Sequence, residues 1–105
     1  MSNFIIAYHG GKKPESPDEG KTQMAKWKTW VADLGDAVVN PGSPMGMSKI
    51  VSSTGVSDDD GSNTMSGFSI VKADSFDSAL DMAKACPFLE IGGTLKVAEL
   101  MEMEM

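Results

Sequence analysis

One cysteine, one histidine and one tyrosine occur among the 105 residues, and each scarcity removes a class of chemistry. Cys86 alone can form neither an internal disulfide nor a thiolate metal cluster. His9 is the sole imidazole, so no metal site is expected. Basic residues are outnumbered, nine Lys and Arg against fifteen Asp and Glu, for a net charge of -6. That balance argues against a nucleic-acid partner, which needs a basic face to displace counterions from phosphate. Anionic membrane surfaces are disfavoured for the same reason. No apolar run approaches the ~20 residues that span a bilayer, and Met1-Ser2-Asn3-Phe4 lacks the charged start and long apolar stretch of a signal peptide. A cytoplasmic protein is expected.

What is present is ordinary globular material. An apolar share of 41% with 23% charged residues supports a folded core, and 105 residues leave room for a single domain spanning 1–105. Phe4-Ile5-Ile6-Ala7-Tyr8 is short and apolar on both parities, as a strand at the centre of a sheet would be. From Gly10 to about Gly20 glycine, proline and charge dominate, which predicts a loop. Met24, Trp27, Trp30, Val31 and Leu34 then recur at helical spacing up to Gly35. A second strand is expected over residues 36–40, followed by an Asn40-Pro41-Gly42 turn, and a weak edge strand over 48–53. Residues 58–64 read as a polar loop tip before a strand over 66–72. Ser75 suits a helix N-cap, with Phe76, Ala79, Leu80 and Ala83 on one face and Pro87 beyond the end. The last strand starts after Gly92-Gly93, with Leu95 and Val97 on one face and Lys96 and Ala98 on the other.

This order, strand-helix-strand twice over, predicts an α+β ferredoxin-like βαββαβ sandwich with an antiparallel sheet. If the helices cover Phe4, Ile6 and Tyr8, then Ile5, Ala7 and His9 look out on the other side with Ser69 and Val71, or the residues beside them, and with Val38 or Val39. Such a face is a poor solvent surface, and a homodimer would cover it.

Few residues can carry chemistry. Histidine is the side-chain type suited to proton transfer near neutral pH, and His9 precedes Gly10-Gly11, where a substrate could approach the backbone; the competing role is a hydrogen-bonded strand end. Tyr8 points to the opposite face and needs a partner for its hydroxyl if buried. Trp27 and Trp30 could wall a planar ligand, although their spacing favours the core. An unbroken last strand would aim Glu99 at an apolar face, raising its pKa; a bulge near Ala98 would turn it outward, and Leu100 breaking the alternation favours that bulge. Asp58-Asp59-Asp60-Gly61 fails as a calcium loop, because alignment on Gly61 puts Val56 and Gly67 at ligand positions. No glycine pattern matches a P-loop or a dinucleotide fingerprint, and no cofactor is expected.

Trp27-x-x-Trp30, Leu34-Gly35, Asn40-Pro41-Gly42-Ser43-Pro44, Gly67-Phe68-Ser69-Ile70, Ala73-x-Ser75-x-x-x-Ala79, Cys86-Pro87 and Gly92-Gly93-Thr94-Leu95-Lys96-Val97, in that order, resemble the YCII-related (DGPF, YciI-like) family over residues 3–100. The resemblance implies a dimeric alpha-beta barrel. It further implies a cofactor-free lyase, isomerase or dehalogenation-type reaction on a small polar organic molecule. Asp36 matches the aspartate of that family's proposed catalytic pair, whereas the helix histidine has no counterpart, leaving His9 as general acid or base. His9 and Asp36 are expected at opposite ends of the sheet. The other function the resemblance allows is a non-catalytic ligand-binding or protein-interaction module linked to sigma-factor regulation.

Overall fold

With no polar residue to turn toward water, Phe4–Tyr8 becomes the middle of strand β1 (Ser2–Gly10), flanked by a hydrogen-bonded neighbour on each side. The structure is a computed structural model and describes residues 1–12, 15–59 and 64–101. After β1 come helix α1 (Pro17–Leu34), a 3-10 turn (Gly35–Ala37), β2 (Val38–Asn40), β3 (Lys49–Ser52), β4 (Gly55–Asp58), β5 (Met65–Ala73), α2 (Phe76–Lys84), a second 3-10 turn (Pro87–Ile91) and β6 (Gly93–Leu100). The main sheet is antiparallel in the order β2-β5-β1-β6, and the core unites Phe4, Ile6, Tyr8 and Val71 of the sheet with Trp30, Ala79 and Ala83 of the helices. This is the expected ferredoxin-like α+β sandwich with an antiparallel sheet. No helix among the described residues is long and apolar enough to cross a membrane.

Helix α1 begins at Pro17, inside the stretch expected to be loop. Ser16 accepts from the Glu19 backbone N–H at 3.2 Å, and the Glu19 carboxylate accepts from the Glu15 backbone N–H at 2.9 Å. This reciprocal cap, with proline at the first helical position, starts the helix before any apolar residue appears. Helix α2 begins at its expected cap, Ser75 accepting from Ser78 N–H at 3.1 Å. Ala79 and Ala83 are buried and small, and Phe76 meets Phe4 edge-on at 5.3 Å. The Trp30 indole N–H donates to the Met82 carbonyl at 3.0 Å, joining the two helices.

Several expectations are corrected by the register. Val71 pairs with Phe4 and Ser69 with Ile6, so both lie under the helices; Phe68 and Ile70, opposite Ala7 and Ile5, take the open face instead. Val38, paired with Val71, also belongs to the helix side. The second strand is shorter than expected, because Asp36 sits in the 3-10 turn. The weak strand near residue 50 is no edge of the main sheet. As β3 it pairs only with β4, an unforeseen strand with one apolar residue, in a separate two-stranded hairpin. Strand β6 pairs with β1 without a break from Gly10↔Gly93 to Asn3↔Leu100, so there is no bulge at Ala98. Glu99 shares the parity of Leu95 and Val97, yet it lies at the exposed end of the strand and meets water there. Residues 60–63, including most of the acidic loop tip, and 102–105 of the Met-Glu tail lie outside the described residues.

Candidate functional site

Where β1 ends, Gly10 and Gly11 take positive φ angles of 71° and 87° and turn the chain away from the sheet. A cleft of about 1070 Å³ opens between this turn, the first half of α1 and the Pro87–Ile91 turn. Tyr8, Trp27 and Phe88 supply its aromatic wall, Phe68 also borders it, and Gly10, Ser43, Pro44 and Ser66 form part of its lining. The Tyr8 and Phe88 rings are 5.3 Å apart and tilted by 47°. Phe88 lies directly over backbone, since a Cβ on Gly11 would come within 2.6 Å of its ring and one on Gly93 would also collide with it. Glycine at both positions therefore lets the ring seat flat against the sheet's end. Two ion pairs stand near the rim, Lys12 with Glu15 at 3.3 Å and Lys26 with Glu90 at 3.6 Å; all four side chains are well solvated, so they contribute little stability.

Behind the wall runs a chain of hydrogen bonds with a defined direction. Ser69 Oγ donates to the Pro41 carbonyl at 2.7 Å, which leaves it as the acceptor for the Tyr8 hydroxyl at 2.6 Å. The Trp27 indole N–H donates in turn to Tyr8 Oη at 3.2 Å. Burial pushes the Tyr8 phenol above its ordinary pKa, against the opposing pull of Ser69 and Trp27. Tyr8 is thus a neutral phenol at physiological pH, its proton committed inward. The Cys86 thiol is likewise pushed up by burial and is no nucleophile at neutral pH.

The residues singled out in the sequence divide between locations. Tyr8, Gly10 and Trp27 line the cleft. Trp30 is buried and borders a different groove between the two helices. His9 follows Tyr8 directly but belongs to the opposite face, half-buried on a rung with Thr94 of β6, and a register shift between Tyr8 and His9 separates it from the regular ladder. Asp36 and Glu99 lie at the far end of the sheet, beside the Phe4 rung. Within the chain, His9, Asp36 and Glu99 therefore do not converge. Among the described residues no group of three or more His, Cys, Asp and Glu is placed to hold a metal ion.

Phe88 and Ser69 went unrecognised in the sequence. For Ser69 a signal existed: it is a polar residue at the core parity of β5, between Gly67 and Val71, and a buried tyrosine elsewhere needed a partner. Phe88 carries no such mark, because its role depends on two glycines 77 and 5 residues away that only the fold brings beneath it.

No protein-family model matches the chain, and no curated protein matches it in sequence. In structure it is similar to 5-chloro-2-hydroxyhydroquinone dehydrochlorinase (TftG) from Burkholderia phenoliruptrix AC1100, solved in complex with 2,5-dihydroxybenzoquinone. The TM-score is 0.59 at 17% identity, over 96% of this chain and 95% of that one, a likeness of fold.

Proposed function

We propose that this is a cytoplasmic, YCII-related homodimer that binds a small planar organic molecule with polar substituents in the Tyr8-Trp27-Phe88 cleft. The observation that carries the reading is the cleft itself, in which Tyr8, Trp27 and Phe88, with Phe68 also in the lining, gather at the end of a central strand beside exposed backbone. Aromatic walls with a few polar groups suit flat ligands, which gain by stacking and by releasing water. A hydroxylated ring of the kind held by the structural neighbour is the natural first probe. Titration with 2,5-dihydroxybenzoquinone and a panel of phenols, read by tryptophan emission and by thermal shift, should give saturable binding. Phe88→Ala should weaken it by roughly tenfold, in line with the loss of one stacked ring. A panel that leaves emission and melting temperature unchanged at millimolar concentration would overturn the reading.

A second reading is cofactor-free turnover of the lyase, isomerase or dehalogenation type, supported by the fold likeness to a dehydrochlorinase. In such an elimination a base takes a proton while halide departs with the carbon–halogen bonding electrons. Tyr8 is unsuited to the base's part, being neutral with its proton bound to Ser69. His9 is the candidate, acting from the open face, with Asp36 and Glu99 reaching it only from another subunit. Chloride release from a chlorinated hydroxyhydroquinone tests it. His9→Gln should lower the rate by ~100-fold or more, and undiminished release would remove His9 from any catalytic part.

A further inference from the structure

Four large apolar side chains stand in water on and just before the β3–β4 hairpin: Met47 at 92% exposure, Val51 at 78%, Val56 at 67% and Ile50 at 48%. All eight strand residues are exposed, and the hairpin belongs to no sheet but its own. A lone two-stranded hairpin is marginal in water. This one nevertheless pairs through four rungs. Its base is tied by Asp59, which accepts from Ser48 at 2.7 Å and from Thr64 at 3.2 Å, and by Lys49 on Asp58 at 2.7 Å. Val51 and Val56 sit directly opposite each other, a β-branched pair whose burial is still to be realised.

We propose that the hairpin is an arm that packs against the open sheet face of a second copy of this chain. The proposal rests on the dimer reading above and adds a contact to it. Charge favours this occupant. On the open face β1, β5 and β6 place Asn3, Ile5, Ala7, Phe68, Ile70 and Ala98 together with two lysines, Lys72 and Lys96, and no carboxylate. The base of the arm carries Asp58 and Asp59 against a single lysine, Lys49, which pairs with Asp58, so its balance is negative. A chain of net charge -6 repels its own copy at long range, but these two surfaces attract at short range.

Area favours it as well. Four strands spaced ~4.8 Å apart and up to nine residues long give a face of about 500 Å². Stable interfaces bury about 800 Å² on each partner. An arm of two four-residue strands covers about 140 Å². In a two-fold dimer each protomer adds its own arm to the face it presents, bringing the total to about 640 Å² and narrowing the gap. The sheet face alone falls short, and the arms extend it.

The test compares wild type with Val51→Lys/Val56→Lys by sedimentation across a range of concentrations. Both sites are exposed, so the fold persists, and the dimer dissociation constant should rise at least tenfold. Val51→Thr/Val56→Thr keeps β-branched residues in the hairpin while removing apolar surface, and it should weaken association in the same direction. Amide exchange in β3 and β4 should also slow when the wild-type protein is concentrated from monomer to dimer. A wild-type dimer matched in affinity by both variants would overturn the arm and leave the dimer standing. A wild type that stays monomeric at high micromolar concentration would overturn the dimer reading, and the arm with it.

Discussion

The hydroxyls of Tyr8 and Ser69 lie 2.6 Å apart across 61 residues of chain, and the bond between them joins β1 to β5 beneath the wall of the cleft. Trp27 completes it from α1 and Pro41 from the turn after β2. Four segments distant in sequence thus share one polar thread, in which every proton has one place to go.

Tyr8→Phe should break that thread in the middle. The Trp27 N–H loses its acceptor and Ser69 loses its donor, a cost of ~1–3 kcal/mol for a partly buried polar group left alone. Urea unfolding of Tyr8→Phe, Ser69→Ala and the double variant checks this. The double variant should cost less than the two single changes together, because each removes the same bond. Strict additivity would show that the two hydroxyls act separately.

The same residue makes stability sensitive to alkali. The folded-state pKa of Tyr8 is raised by burial, so the unfolded chain loses this proton first, near its ordinary pKa of about 10. The contribution is therefore complete below pH ~10 and is lost as pH rises from there through the higher folded pKa. As Tyr8 is the sole tyrosine, its tyrosinate absorbance can be followed directly. Melting temperature should fall above that pH in wild type and fall less in Tyr8→Phe. Identical alkaline profiles would contradict the assignment.

Gly42 carries a φ of 75° and lies so close to the Phe68 carbonyl that a Cβ would overlap it. The obstacle is backbone and cannot swing aside. Gly42→Ala should cost upward of ~2 kcal/mol. Gly46→Ala, with ordinary φ and nothing within 4 Å of its added carbon, should change stability by less than ~0.5 kcal/mol. Chemical denaturation of the pair decides, and equal effects would refute the close approach.

The two tryptophans should separate by role. Trp30 is buried and holds Met82 across the helices, so Trp30→Ala should cost ~3–5 kcal/mol. Trp27, half-exposed to the cleft, should lose less stability as Trp27→Phe while ligand titration loses both signal and affinity. A Trp27→Phe variant that binds as wild type would move the ligand elsewhere.

Much of the fold was legible because burial leaves periodic marks. Phe4–Tyr8, the Trp27 to Leu34 stripe, Ser75 and the Leu95/Val97 alternation each reported their element correctly. The start of α1 was hidden because its stability there comes from the Ser16 and Glu19 hydrogen bonds, which need no apolar residue. β4 was hidden for a related reason: its partner and its exposure, rather than its own composition, make it a strand. Of the site, Tyr8, Gly10 and Trp27 were visible as residue types at an element's end. Their meeting with Phe88 and Ser69 was not, since it depends on the order of strands and on glycines whose importance lies in what rests upon them.

The position of β1 between β5 and β6 has a consequence for synthesis. Both neighbours of this apolar segment lie late in the chain, and Gly10 must wait 83 residues for Gly93. At about 5–20 residues per second, that delay is roughly 4–17 s on the ribosome. Until β5 is made, with Gly67 coming 59 residues after Tyr8, Phe-Ile-Ile-Ala-Tyr has no partner strand at all, and until β6 it has only one, which makes the nascent chain a client for holding chaperones and makes expression yield respond to translation speed before the finished fold is ever tested.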